Sequence, residues 1–279
     1  MVMKKTTIYL GLISLIISFN VCAQVFQVEQ LEKSFFISDD PTFTYLYPSQ
    51  SPKSILVFIP GGDGSVGVKK DWGPQSRYFS QYSFNRMLGS LANNQITDGT
   101  TNVIIFDNPK SLGLGSSLPL RGRKDHLIRI ESTIDFYKKR YNLPVILMGH
   151  SAGGVSVAEF LGYLADNNKE HLVNGLIFSA GRNDSYFDEK YNIPALFFIH
   201  EDDACGITTP KRNKEIFERF KSRNSSVTEF QLISGGTSQN DPCRSGQHMY
   251  YGSESSVSFL IGKFIKEKVQ SLPSPTVKN

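Results

Sequence analysis

Pro144-Val145-Ile146-Leu147-Met148-Gly149-His150-Ser151-Ala152-Gly153-Gly154-Val155-Ser156-Val157-Ala158-Glu159-Phe160-Leu161 is the most informative stretch of this chain. It opens on an apolar run without alternation, which suits a strand of a parallel sheet covered on both faces. Val155 onward reads as helix. Between them, Gly149-His150-Ser151-Ala152-Gly153 fits G-x-S-x-G, a strained strand-to-helix turn that lifts the serine hydroxyl above the sheet. Side chains at Gly149 and Gly153 would collide with the neighbouring strand and helix. The pattern alone arises by chance in about one chain in ten of this length, so its setting between a buried strand and a helix carries the weight. The plain alternative is a turn without chemistry.

A serine on such a turn requires an acid and then a histidine further along the chain. The run Pro194–Ile199 leads into His200-Glu201-Asp202-Asp203-Ala204-Cys205. Carboxylates therefore leave the C-terminal edge of a sheet, where ligands bind in open α/β folds. Downstream there is one histidine, His248, in the loop between the run Glu229–Ile233 and the last helix. Of the other histidines, His126 and His171 are expected on helix surfaces, His150 is the variable residue of the turn, and His200 ends a strand.

Working outward, strands are expected at Phe43–Tyr47, Ser54–Ile59, Asn102–Phe106, Pro144–Met148, Gly175–Phe178, Pro194–Ile199 and Glu229–Ile233. Helices are expected near Tyr78–Ala92, Lys124–Tyr141, Ala152–Ala165, Pro210–Arg219 and Glu254–Val269. The last places Val257, Leu260, Ile261, Phe264 and Ile265 on one face, with Ser253 as N-cap. Alternation on this scale predicts a doubly wound, mostly parallel α/β sheet. No internal repeat or linker divides it, so residues 24–270 form one domain with a frayed tail at 271–279.

The chain has 279 residues, 39% hydrophobic and 20% charged, which excludes a disordered protein. A formal charge of +4 with no run of Lys or Arg beyond three gives no footprint for nucleic acid. Lys4 and Lys5, the apolar Ile8–Phe19 and Val21-Cys22-Ala23 make a secretory signal peptide over 1–23, cleaved near Ala23. That apolar run is short of the ~20 residues a membrane span needs, so no stable span is expected. Removing 23 of 279 residues leaves 256 and, without the two signal lysines, lowers the charge from +4 to +2. The destination is periplasmic or secreted.

These features together resemble an α/β-hydrolase-fold serine hydrolase, an exported esterase- or lipase-like family, over nearly all of 24–270. The resemblance implies Ser151 as nucleophile, His248 as base and a carboxylate after His200 as its partner. Asp203 is favoured because Thr208-Thr209-Pro210 follows as the turn into the next helix; Asp202 is the alternative. It also implies an oxyanion hole from the N–H of Ala152 and of a residue in Pro60-Gly61-Gly62-Asp63-Gly64, where the family often has His-Gly-Gly-Gly. Gly62 is the first choice and Asp63 the next. No metal or cofactor is implied, and Cys and His show no zinc-like spacing.

Loss of Cys22 leaves Cys205 and Cys243. If the acid and histidine loops meet, these two can form a disulfide in an oxidising compartment. Only Ser179–Ile193 separates two expected strands where the family inserts a cap, so no large cap domain is expected. The site is then open, shaped by Gly61–Arg77 and Ser111–Leu120, with Trp72, Tyr78 and Phe79 either lining it or packing the segment down. The expected substrate is a small-molecule or polymeric ester. Peptidase or amidase action on the same residues is the alternative, and a non-catalytic binding protein on this scaffold a third. Nothing in the sequence sets an oligomeric state.

Overall fold

The computed structural model describes residues 27–31, 40–67, 83–93, 99–112 and 118–271. The expected signal peptide, residues 272–279 of the tail, and Trp72, Tyr78 and Phe79 lie outside the described residues.

β3 (Ser54–Ile59), β4 (Thr101–Asp107) and β5 (Val145–His150) are buried at every position. They lie parallel, with β3 between the other two. Because successive strand side chains point to opposite faces, Leu56, Phe58, Val103, Ile105, Ile146 and Met148 enter one core. Ile55, Val57, Ile104, Phe106, Val145 and Leu147 enter the other. An unbroken apolar run is thus divided between two cores, as the sequence predicts.

β6 (Gly175–Ser179), β7 (Ala195–His200) and β8 (Thr228–Ile233) extend the sheet in parallel on one side. On the other, β2 (Phe43–Tyr47) pairs antiparallel with β4, and β1 (Gln27–Gln30) antiparallel with β2. The eight-stranded order is β1-β2-β4-β3-β5-β6-β7-β8. Helix α1 (Ser83–Asn93) is followed by the single turn α2 (Leu118–Arg121) and by α3 (Lys124–Tyr141), α4 (Ala152–Asp166), α5 (Pro210–Arg223) and α6 (Glu254–Phe264). Met87, Leu88 and Leu91 of α1 pack with Val257, Ile261 and Phe264 of α6 in the first core. Helices α3, α4 and α5 cover the second. No helix interrupts residues 180–194 between β6 and β7, so no cap domain is inserted there.

Some expectations are corrected. β1 escapes sequence reading because Gln27-Val28-Glu29-Gln30 has no apolar pattern; it exists through its pairing with β2. The last helix is α-helical only to Phe264, and Ile265–Val269 forms a π turn. Ser253 is the N-cap residue of α6, its carbonyl accepting from Val257 N–H at 3.1 Å, but its hydroxyl makes no cap bond and donates to the Tyr250 carbonyl at 3.2 Å. His126 is fully buried. It stands at helical spacing with Ile130, Ile134 and Tyr137, on the stripe of α3 that faces the core.

Parallel strands bring the loops after β3, β5, β6, β7 and β8 to one edge of the sheet. Between β5 and α4 only Ser151 intervenes, at φ 53° and ψ −124°, a conformation costly for any side-chain-bearing residue. A Cβ on Gly153 would lie 2.1 Å from the Ile59 carbonyl oxygen, and one on Gly149 2.5 Å from the Gly153 carbonyl oxygen. The first turn of α4 therefore packs backbone-to-backbone on β3.

Two substitutions in α4 separate this contact from helix propensity. Gly153→Ala lowers the stability measured by urea unfolding by at least about 2 kcal/mol, because backbone has to move. Gly162→Ala, where nothing lies within 4 Å of the added methyl, raises it by up to about 1 kcal/mol. Equal effects at the two positions would contradict the packing described.

Candidate active site

Ser151 is held by backbone bonds on both sides. Its N–H donates to the Ser179 carbonyl at 3.0 Å, and its own carbonyl accepts from Gly154 N–H at 3.0 Å and Arg182 N–H at 3.3 Å. Ala152 follows as the first residue of α4, so its N–H has no intrahelical acceptor and sits at the positive end of the helix dipole.

The loop after β7 turns at once, with Asp203 N–H donating to the His200 carbonyl at 3.1 Å. The Asp203 carboxylate is buried and fully engaged. Oδ1 accepts from Cys205 N–H at 2.9 Å, and Oδ2 from the Thr208 hydroxyl at 3.1 Å. His248 Nδ1 lies 2.8 Å from Oδ2, with the side chains 1% and 0% exposed. A carboxylate only accepts, so Nδ1 carries a proton that it donates to Asp203. Nε2 makes no hydrogen bond among the described residues. The His248 ring lies 4.8 Å from that of His150, the residue before Ser151. Ser151 and His248 thus share one end of the sheet without being hydrogen-bonded to each other. Asp202 is exposed, and its N–H donates to His200 Nδ1 at 3.0 Å; of the two aspartates, Asp203 is the one joined to His248. Thr209 caps α5, its hydroxyl accepting from Arg212 N–H, with Pro210 in the first turn.

The Gly-rich loop after β3 lies over the serine. A Cβ on Gly61 would sit 2.9 Å from Ser151 Cβ, so this backbone approaches as only glycine allows. Gly62 follows at φ 60°. The Gly61 carbonyl accepts from Gly64 N–H at 3.0 Å, the Gly64 carbonyl from Asn108 N–H at 3.1 Å, and Asp107 Oδ1 from Val66 N–H at 2.6 Å.

Buried polar side chains that sequence reading missed surround this loop. Arg121 is fully buried and donates to Ser156 Oγ at 2.7 Å and to the Gly62 carbonyl at 2.8 Å. His126 Nε2 lies 2.9 Å from Ser156 Oγ. A serine amid the apolar run Val155–Leu161, and a histidine on the core stripe of α3, were the signals available. Thr208, which binds the Asp203 carboxylate, reads in the sequence only as part of a turn.

Cys205 and Cys243 form a disulfide across 38 residues, Cα to Cα 4.7 Å. It ties the acid loop to the histidine loop. Among the described residues, no group of three His, Cys, Asp or Glu side chains is placed to hold a metal ion. No helix there is long and apolar enough to cross a membrane.

Replacing both Cys205 and Cys243 by serine lowers the urea-unfolding free energy by about 4 kcal/mol on the loop-entropy model; a loss below about 1 kcal/mol would contradict that restraint. A pH effect follows from the histidines. Burial, with Arg121 and Arg129 nearby, holds His126 well below its ordinary 6.5, and burial beside His248 does the same to His150. The unfolded chain binds these protons first, so stability is full above about pH 6.5 and falls below it by about 1 kcal/mol per pH unit for each. Urea unfolding at pH 7.5 and 5.5 measures this; equal stability at both values would refute it.

No family model and no curated protein sequence matches the chain. Solved structures do. Dienelactone hydrolase from Anabaena variabilis superposes with a TM-score of 0.54 at 14% identity, covering 87% of this chain and 99% of that one. Est1E from Butyrivibrio proteoclasticus gives 0.54 at 15% identity, covering 86% and 98%. A serine hydrolase without lid from Xanthomonas campestris gives 0.51 at 11% identity, covering 88% and 96%. With this strand order, an antiparallel β2, helices on both faces and a serine on the turn between β5 and α4, the chain has the α/β-hydrolase fold.

Proposed function

We propose that this protein is an exported serine hydrolase that cleaves carboxylic esters through an acyl-enzyme on Ser151. One observation carries the reading: a buried Asp203–His248 bond of 2.8 Å stands at the same sheet edge as a serine on a strained strand-to-helix turn.

With Nδ1 bonded to Asp203, His248 keeps Nε2 as the base that takes the Ser151 proton while Oγ attacks the ester carbonyl. Such a contact is often long before substrate arrives and tightens in the complex. The oxyanion forms against the N–H groups of Ala152 and Gly62, each worth about 3 kcal/mol of transition-state stabilisation. His248 then gives its proton to the departing alcohol, and water it activates hydrolyses the acyl-enzyme. Asp203 fixes the tautomer and favours the imidazolium; Cys205 N–H and the Thr208 hydroxyl fix Asp203.

Support for an ester substrate comes from the structural neighbours, among them Est1E, a hydrolase named for a dienelactone, and a serine hydrolase described as lidless. Direct passage from β6 to β7 fits an open site and soluble or polymeric esters. Export rests on the N-terminal signal pattern and agrees with a disulfide.

A fluorophosphonate probe labels wild type and not Ser151→Ala; a folded wild type that stays unlabelled would falsify the mechanism. Asp203→Asn lowers kcat by orders of magnitude, whereas Asp202→Asn stays near wild type; the reverse result moves the acid role to Asp202. p-Nitrophenyl esters of increasing chain length, run beside peptide amides, measure the reaction class. Turnover confined to the amides would replace esterase by peptidase or amidase.

A further inference from the structure

Arg121 is an unusual residue to find in the interior. It ends the single turn α2, is fully buried, and among the described residues has no carboxylate within ion-pair distance. Burial and the nearby Arg182, against the pull of Asp63, bring its guanidinium down to about 10, which still leaves it charged at neutral pH. An interior charge without a counter-ion is costly. A core position with only a packing task would be served at less cost by Leu or Met.

Its bonds suggest what it does instead. Nη2 donates to the Gly62 carbonyl at 2.8 Å, and Nη1 reaches the Pro60 carbonyl at 3.5 Å. The other anchor is Ser156 in α4, whose Oγ accepts from Nη1 at 2.7 Å. Proton bookkeeping then runs in one direction. Ser156, having accepted from Arg121, donates to His126 Nε2 at 2.9 Å, and His126 Nδ1–H donates to Asn108 Oδ1 at 3.1 Å. Asn108 closes the circuit through its own N–H to the Gly64 carbonyl. Neutral His126 is the species this circuit needs, since the imidazolium has no lone pair for Ser156.

We infer that Arg121 is a positioning residue of the oxyanion loop: by fixing the Pro60 and Gly62 carbonyls it holds over Ser151 the two peptide planes that flank the Gly62 N–H. This rests on the serine-hydrolase reading above. In a trans peptide the N–H points opposite to the C=O, so the bonds to the Pro60 and Gly62 carbonyls preset the Gly61 and Asp63 N–H groups, and the Gly62 N–H between them is preset by the Gly61 carbonyl, which accepts from Gly64 N–H at 3.0 Å. A cation on a carbonyl oxygen also strengthens the N–H of the same peptide as a donor, which for the Gly62 carbonyl is the N–H of Asp63, the second donor candidate of this loop. Glycine-rich backbone lacks the side chains that would otherwise hold its conformation, and the guanidinium supplies that restraint from its anchor on Ser156 of α4.

The test is steady-state kinetics of Arg121→Met and Arg121→Lys, with inhibition by a trifluoromethyl ketone. This probe adds Ser151 Oγ to its carbonyl carbon and leaves an oxyanion in the loop. In Arg121→Met, kcat falls at least about tenfold while KM stays within about twofold. The Ki of the ketone rises by the factor that kcat/KM falls. Arg121→Lys recovers part of both, and free guanidinium ion restores turnover to Arg121→Ala. If Arg121→Met does not fold, Ser156→Ala removes the anchor and leaves the charge; it lowers kcat and raises the ketone Ki in parallel. An unchanged kcat in folded Arg121→Met or Ser156→Ala, or a lowered kcat with unchanged ketone Ki, overturns the positioning role. Loss of the underlying mechanism registers separately, as a wild type that a fluorophosphonate does not label.

Discussion

The architecture depends on the absence of space between β5 and α4. One residue turns the chain from strand to helix, and the next turn of helix lies so close to β3 that no Cβ fits at Gly153. Close approach of this kind costs backbone strain at Ser151, and it persists because buried strands on either side over-determine it. β5 lies between β3 and β6, with Gly149 paired to Ile59 and to Phe178. The serine therefore appears where the ends of several parallel strands converge, beside the glycine-rich loop on one flank and the loops after β6 and β7 on the other.

Around that point the protein has buried polar groups rather than excluded them. Asp203, His248, Arg121 and His126 are almost wholly inside, where an unmatched polar group is expensive. Each is placed by hydrogen-bond partners: Asp203 by Cys205 and Thr208 of its own loop, His248 by Asp203, Arg121 by Ser156 and Gly62, and His126 by Ser156 and Asn108. Under the proposed mechanism this is useful, because dipoles already aimed at the reacting atoms need no reorganisation when charge develops. The disulfide extends the same logic to the outer loops, holding the acid segment to the histidine segment by a covalent bond.

Much of this was legible in the sequence, for identifiable reasons. Runs such as Ile55–Ile59 and Val103–Phe106 are apolar without alternation, as suits strands covered on both faces, and both are strands of the middle of the sheet. The order serine, acid, histidine is a topological consequence of the sheet, so it survives without any knowledge of distances. What sequence could not supply was contact between residues far apart in the chain. Nothing local says that Arg121 reaches Gly62, and nothing in Gln27–Gln30 announces a strand before β2 offers its edge. The polarity of His126 points to the surface and its spacing to the core, and the apolar stripe it belongs to is the better guide. The turn residues after Asp203 favour it over Asp202, and it is Asp203 that lies against His248.

The central claim is that the serine on the β5–α4 turn carries the acyl group. Rapid mixing with p-nitrophenyl acetate, acid quench and peptide mass spectrometry tests it most directly. The account predicts a burst of nitrophenol matching the enzyme concentration and an acetyl group on the peptide containing Ser151, with neither seen in Ser151→Ala. Ester turnover with the acetyl group found on another residue, or an undiminished burst in Ser151→Ala, would contradict it.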